Sequence, residues 1–407
     1  MILHHLFSWV ALLLSSAYDD IMIVNYISNK NVISLHLGTG IENLYHTGTF
    51  YSLGFLIGVI GWNLVIHCFS NKRLLNLIQV LLLLSIIAIF FIKNIALLFF
   101  VNFIQGLLIS GTLLLVYTLV RYNFNQSHFE RFIMLSSSLV YLTEACIPLV
   151  NLYLRDRPIP YIVLIFAMFL ISQYTAFIRF KDPPKAVGLK VNAYSLYTKF
   201  INTLNSKFVL LFIMCAICEG LNDTLLNLVE GILDKINCPS TIVYYFLSGI
   251  SIASSLAIYI ISTFVLARKP NHGTNSILQK FDFMSNMLKF LLCLLIPITL
   301  LPSANLYAPA LFYVSLFLVG SAGIHYLCLY ILHAVYKDSS LVVSILLTLE
   351  TVASIFFKVT CLYLRYSSQA LIIYIVTFML VMLLIIKSLT NYILKSKTAL
   401  EGVPLNS

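Results

Sequence analysis

The stretch RFKDPPKAVGLK, residues 179–190, divides this chain into two halves that each contain six apolar segments. Asp182-Pro183-Pro184 ends any helix that reaches it, because proline lacks an amide hydrogen and restricts the residue before it. The basic residues around the prolines are costly inside a bilayer. Six apolar segments, a charged break and six further apolar segments are typical of secondary transporters.

Composition places the chain in a membrane. Hydrophobic residues make up 60% of it and charged residues only 10%, against about 45–50% and about 25% in soluble proteins. A membrane-spanning helix needs about 20 apolar residues. We therefore predict an all-α protein with about twelve spans, at residues 6–27, 48–69, 74–92, 96–120, 132–154, 159–178, 208–229, 242–266, 284–302, 307–333, 341–363 and 370–392.

The predicted organisation is an N-terminal six-helix bundle (1–179), a cytoplasmic linker (180–207), a C-terminal six-helix bundle (208–393) and a cytoplasmic tail (394–407). Most of the 25 Lys and Arg residues fall in loops on one side of the membrane, which the positive-inside rule places in the cytoplasm together with both termini. The net charge of +10 thus reflects topology, and no nucleic-acid partner is expected. A bias towards Lys, Asn, Ile, Tyr and Phe indicates an AT-rich bacterial genome, hence a bacterial inner membrane.

The two halves share features at an offset of about 200 residues, which indicates an internal repeat. Lys72-Arg73 corresponds to Arg268-Lys269, and Glu144 in the fifth span corresponds to Glu350 in the eleventh. A two-fold repeat of six helices is the simplest account of these matches.

This pattern resembles the major facilitator superfamily over nearly the whole chain. Locally, LGFLIG at 53–58 with SNKR at 70–73 resembles the second span and following loop of the bicyclomycin and chloramphenicol resistance branch of drug:proton antiporters. NFIQG at 102–106 resembles the opening of that branch's fourth span, with Asn102 in place of a membrane-embedded arginine, and VRY at 120–122 resembles its end. The resemblance assigns Lys72, Arg73 and Arg121 to the cytoplasmic loop motif.

In the superfamily, spans one, four, seven and ten line the central cavity, so the resemblance places Asp19 or Asp20, Asn102 and Gln105 around the substrate path. Charged residues inside a bilayer require a partner, a proton or a water-filled cavity. Positions 219, 222 and 223 share one face of the seventh span. The predicted proton-coupling or substrate-cavity residues are Asp19, Asp20, Asn102, Gln105, Glu144, Glu219, Asn222, Asp223 and Glu350. His67 and His325 are expected to be helix-contact residues rather than proton relays.

Several functional classes are disfavoured. The chain contains no P-loop, H-E-x-x-H or G-x-S-x-G pattern, which argues against ATP-driven transport and against an enzyme. The eight cysteines lie mainly within predicted spans, so we expect neither a metal site nor a cofactor.

The leading prediction is a monomeric secondary transporter that moves a small molecule by alternating access, coupled to protons and similar to drug-efflux proteins. The alternative is an importer or facilitator of a nutrient or siderophore, which the loss of the arginine at Asn102 favours. A non-transporting membrane sensor or enzyme is the less favoured reading.

Overall fold

The structure, a computed structural model, describes residues 2–18, 22, 30–66, 68–89, 91–154, 198, 201–203, 206–235, 238–267, 274–299, 307–336, 339–364 and 368–401. Within these ranges it contains twelve helices and no strand. They are α1 (Ile2–Ser16), α2 (Lys30–Leu37), α3 (Ile41–Val65), α4 (Asn71–Ile89), α5 (Ile95–Asn123), α6 (Gln126–Leu154), α7 (Val209–Lys235), α8 (Ser240–Ala267), α9 (Thr274–Thr299), α10 (Tyr307–Val335), α11 (Ser339–Leu364) and α12 (Ser368–Glu401).

Several helices begin before the apolar segment that predicted them. The α6 helix starts at Gln126 because the Asn125 side chain accepts a hydrogen bond from the His128 amide, 3.0 Å away, and so caps an amide that has no partner within the helix. In the same way, Asn94 accepts from the Ala96 amide at 2.9 Å and starts α5. Hydrophobicity predicts the membrane core of a helix, whereas polar caps set its ends.

Packing repeats between the two halves of the chain. In the first half α5 contacts α1, α3 and α4, and α1 also contacts α6; in the second half α10 contacts α7, α8 and α9, and α7 also contacts α11. The same pairs recur if α1, α3, α4, α5 and α6 are matched to α7, α8, α9, α10 and α11. The halves meet where α6 packs against α8 and where α3 packs against α11. These two contacts are equivalent under the same correspondence, because α6 matches α11 and α8 matches α3. This arrangement is a two-fold repeat.

Six of the described helices are long and apolar enough to cross a membrane, by length and composition: the segments are Thr47–Val65, Asn71–Ile89, Ile95–Asn123, Thr241–Phe264, Leu311–Val335 and Ile372–Lys395. Helices α7 and α11 also contain apolar segments, Val209–Asn222 and Leu341–Phe357. Both helices carry ionisable residues, among them Glu219 and Glu350.

The predicted bundle boundaries remain predictions. Residues 155–197, which include the sixth predicted span and most of the linker, lie outside the described residues, as does the end of the tail from 402 onwards.

Helices α3 and α5 approach each other closely through glycines. A side chain added at Gly54 of α3 would overlap the backbone carbonyl of Phe103, and one added at Gly106 of α5 would overlap that of Tyr51. Backbone atoms cannot move aside as a flexible side chain can, so this contact depends on the missing Cβ atoms.

We expect Gly54→Ala to lower the melting temperature of the purified protein clearly, because the added methyl group forces the two helices apart. Gly61→Ala is the matched control on the same helix, since its added Cβ would meet nothing within 4 Å. Alanine favours a helix over glycine by about 1 kcal/mol, so this control should be neutral or slightly stabilising. Equal melting temperatures for the two variants would contradict the close contact.

Candidate functional site

An imidazole between two carboxylates lies where α7, α10 and α11 meet. The His325 Nε2 atom is 2.8 Å from a carboxylate oxygen of Glu350, and its Nδ1 atom is 3.8 Å from one of Glu219. The side chains of His325 and Glu350 are each 12% exposed and that of Glu219 is 32% exposed. We call these three residues the carboxylate cluster.

A second polar layer lies one helical turn away from this cluster. Asn222 is three residues after Glu219 on α7, and Ser321 is four residues before His325 on α10. The Asn222 side chain accepts a hydrogen bond from the Ser321 hydroxyl and donates one to the Tyr141 hydroxyl of α6 at 2.9 Å. Because Tyr141 belongs to the first half of the chain, Asn222 connects the two halves directly beside the carboxylate cluster.

Glu144 brings a third carboxylate to this region from the first half. It lies three residues after Tyr141 on α6, and both Glu144 and Glu219 interact electrostatically with the Tyr141 hydroxyl. Each half therefore places one glutamate near Tyr141: Glu144 on α6 and Glu219 on α7.

His325 lies where it can share its ring protons with two carboxylates. A neutral imidazole carries a proton on only one ring nitrogen, whereas an imidazolium carries one on each. Both ring nitrogens of His325 face carboxylate oxygens, which is the geometry of an imidazolium. Carboxylates at this depth require a partner, a proton or a water-filled cavity.

The cluster does not form a ready-made metal site in this conformation. Among the described residues, no group of three or more His, Cys, Asp and Glu side chains is arranged to hold a metal ion. The imidazole of His325 lies between Glu219 and Glu350, with one ring nitrogen facing each carboxylate.

The structure brings together four of the residues singled out from the sequence, namely Glu144, Glu219, Asn222 and Glu350. Asp19 and Asp20 lie outside the described residues, as does the side chain of Asp223. Their roles therefore stay predictions.

Asn102 and Gln105 of α5 are both buried. The Asn102 side chain donates to the Leu98 carbonyl of its own helix at 2.9 Å, and the Gln105 amide nitrogen has no hydrogen-bond partner among the described residues. Their assignment to the substrate path also stays a prediction. Of the loop-motif residues, Arg121 lies over the Phe129 ring at 4.9 Å, while Lys72 and Arg73 lie in the first turn of α4.

His325 contacts Glu219 of α7 and Glu350 of α11, which agrees with the expectation of a helix-contact residue. The sequence did not place it together with the glutamates. A usable signal was present: within Leu311–Val335, a highly apolar span, His325 is an ionisable residue near the middle, and ionisable residues at that depth mark ion pathways.

Comparisons with known proteins identify the fold. No family model and no curated protein matches the sequence. A crystal structure of a bacterial homologue of the iron transporter ferroportin, in an outward-facing state, matches with a TM-score of 0.68 at 13% identity, over 95% of this chain and 99% of that one. The same kind of homologue with soaked iron matches with a TM-score of 0.67 at 12% identity, over 95% and 98%.

These likenesses confirm the predicted fold, an all-α membrane protein of the major facilitator type. With the described helices that are long and apolar enough to cross a membrane, they agree with a multi-pass membrane protein. They give no support to the branch of drug:proton antiporters suggested by the motifs in α3 and α5. Two of the glycines in these motifs, Gly54 and Gly106, lie at the close contact between α3 and α5, so packing alone accounts for them.

Proposed function

We propose that this protein moves a small cationic nutrient, of the divalent metal-ion class, across the membrane by alternating access. The carboxylate cluster is its binding site. The observation that carries the proposal is the pair of carboxylates, Glu219 and Glu350, on either side of one imidazole at a largely buried position between α7, α10 and α11. Carboxylates and imidazole are the ligands that first-row divalent metals use in proteins.

The ferroportin-like neighbours support this choice of substrate class over an amphipathic drug, because they are described as homologues of an iron transporter and one was soaked with iron. The proposal therefore follows the nutrient alternative. In the proposal the metal ion is cargo, held only during part of the cycle, so the closed arrangement of Glu219, His325 and Glu350 represents the state without cargo.

The cluster supplies a means of proton coupling. While the site holds no cargo, the protonated ring of His325 satisfies Glu219 and Glu350. An arriving cation takes over both carboxylates, and the ring then loses a proton because positive charges so close together repel each other. When the cation leaves on the other side, the ring takes up a proton again. Cation and proton thus exchange at one site.

The positive-inside rule supports a cytoplasmic location for both termini. It supports the same location for the helix ends that carry basic residues, namely Lys72, Arg73, Arg121 and Arg131. We call this end of the protein the basic end. The carboxylate cluster then lies between the basic end and the outer surface, where an alternating-access site is expected.

The test is uptake into sealed proteoliposomes containing the purified protein and a metal-sensitive dye. Manganese(II), iron(II) under reducing conditions and cobalt(II) are supplied outside, with a fluorescent organic cation in parallel. We expect saturable uptake of at least one metal ion and none of the organic cation. Uptake of the organic cation without that of any metal would overturn the proposal in favour of drug transport.

A further inference from the structure

Helix α12 keeps one face exposed along most of its length. Exposed positions recur every three or four residues, which is the spacing of a single helix face. The face comprises Ile373, Thr377, Leu380, Leu384, Lys387, Asn391 and Lys395, and we call these seven residues the open face of α12. It is mainly apolar as far as Leu384 and then becomes polar and basic. Such a change is expected where a lipid-facing helix passes from hydrocarbon into the headgroup region.

The residues that precede α7 pack against the last turns of α12 through aromatic rings. The ring of Phe208 meets that of Tyr392 of α12 at 6.2 Å. It also meets the ring of Tyr336, which follows α10, at 6.5 Å. The Tyr336 hydroxyl donates a hydrogen bond to the Ser206 hydroxyl at 3.1 Å. These contacts on either side fix the position of the residue between them, Lys207.

Lys207 lies over a ring of α12. Its ammonium nitrogen is 4.9 Å from the centre of the Tyr392 ring, within the range of a cation–π interaction, and the side chain is exposed. Lys395 is also exposed and comes three residues after Tyr392. Residues three apart are neighbours on a helix surface, so lysines from two distant parts of the chain lie beside the same ring. We call Lys207 and Lys395 the lysine pair.

The lysine pair lies at the basic end of the protein. The ring of His333, near the end of α10, is 5.1 Å from that of Phe129. Phe129 is two residues before Arg131 of α6, and Tyr336 is three residues after His333. The contact between Phe208 and Tyr336 therefore brings the start of α7 to this same end.

Positive charge accumulates in both segments that form the pair. From position 183 to position 218 the chain contains four lysines and no Asp or Glu. Helix α12 contains three lysines and a single acidic residue, Glu401. Like charges that lie close together repel each other, so an anion that meets both ammonium groups stabilises this arrangement.

A phospholipid is the anion that fits these surroundings. Its phosphate meets the lysine pair while its acyl chains meet the apolar part of the open face, where Leu384 lies about 16 Å along the helix from Lys395. Tyrosine rings such as that of Tyr392 are favoured at headgroup level, and basic sites between membrane helices bind anionic headgroups. A soluble phosphate would use the ammonium groups alone and leave the apolar part of the face unused.

We propose that Lys207 and Lys395 bind the phosphate of an anionic phospholipid whose acyl chains lie along the open face of α12. The bound lipid bridges the residues before α7 and the end of α12, which also meet through the rings of Phe208 and Tyr392. This site is separate from the carboxylate cluster. The inference therefore depends neither on the identity of the cargo nor on transport.

Native mass spectrometry of the purified protein in detergent tests the site. Phosphatidylglycerol or phosphatidylcholine with the same acyl chains is added in steps, and the wild type should retain phosphatidylglycerol in preference. Lys207→Gln/Lys395→Gln should weaken phosphatidylglycerol binding by about thirtyfold, because each lysine near an anionic lipid contributes about fivefold. Its binding of phosphatidylcholine should equal that of the wild type. Equal phosphatidylglycerol binding by the wild type and this variant would overturn the proposal.

Arg131→Gln is the matched control, since it removes a positive charge from an exposed position of α6 at the same end. It should bind phosphatidylglycerol as the wild type does, and a loss as large as that of the lysine variant would contradict a defined site. Lys207→Arg/Lys395→Arg keeps both charges and should keep the lipid preference; its loss would contradict recognition by charge. Inorganic phosphate in hundredfold excess should leave the lipid bound, whereas displacement would assign the pair to a soluble anion. No metal ion is present, so the metal-uptake assay and this test fail independently.

Discussion

Glu350→Gln is expected to reduce metal-ion uptake by about hundredfold, the scale of losing one partner from a buried, hydrogen-bonded charge pair. The glutamine retains the size of the side chain and can still accept a hydrogen bond from His325, which now lies 2.8 Å from the carboxylate. It cannot supply the negative charge that a divalent cation needs. The loss should therefore appear as weaker cation binding in an otherwise intact protein, measured as initial uptake against metal concentration.

Asp282→Asn is the control for this prediction, because it removes one carboxylate from an exposed position of α9. It should transport as the wild type does. The melting temperature and gel-filtration profile of Glu350→Gln, compared with those of the wild type, separate a binding defect from misfolding. A well-folded Glu350→Gln protein with wild-type uptake would remove Glu350 from the site.

His325→Gln is expected to separate cation movement from proton movement. In the proposed cycle, each cation that binds displaces a proton from the ring, because both ring nitrogens face carboxylate oxygens. Glutamine can form hydrogen bonds with Glu219 and Glu350, but its amide group neither gains nor loses a proton near neutral pH. Uptake should continue at a reduced rate while the accompanying pH change disappears.

A pH-sensitive dye inside the proteoliposomes, read together with the metal dye, gives the number of protons moved per cation. Buffered vesicles without protein provide the baseline for passive leakage. If His325→Gln moves as many protons per cation as the wild type, then His325 is not the proton carrier, and the predicted carboxylates Asp19 and Asp20 become the next candidates.

The fold could be predicted from the sequence because membrane burial imposes a simple rule on every span. Apolar segments, the Asp182-Pro183-Pro184 break and the placement of basic residues all follow from the cost of polar groups in hydrocarbon. The offset between Glu144 and Glu350 also indicated the repeat that the packing of α6 against α8 and of α3 against α11 displays.

The site could be predicted only in part. Glu219, Asn222 and Glu350 stand out because ionisable or amide groups are rare in such helices. Their partners do not stand out, since His325 and Ser321 come from another helix and Tyr141 from the other half of the chain. Which side chains meet across helices depends on rotation and depth, and neither is encoded in the pattern of a single segment.

The most direct test of the central claim is calorimetric titration of manganese(II) into the purified protein, comparing the wild type with a Glu219→Gln/Glu350→Gln variant and with Asp282→Asn. We predict one saturable binding event in the wild type and in Asp282→Asn, with release of a proton seen as a dependence of the heat on the buffer, and no such event in the double variant. Binding of equal strength in the double variant would contradict the assignment of the carboxylate cluster as the cation site.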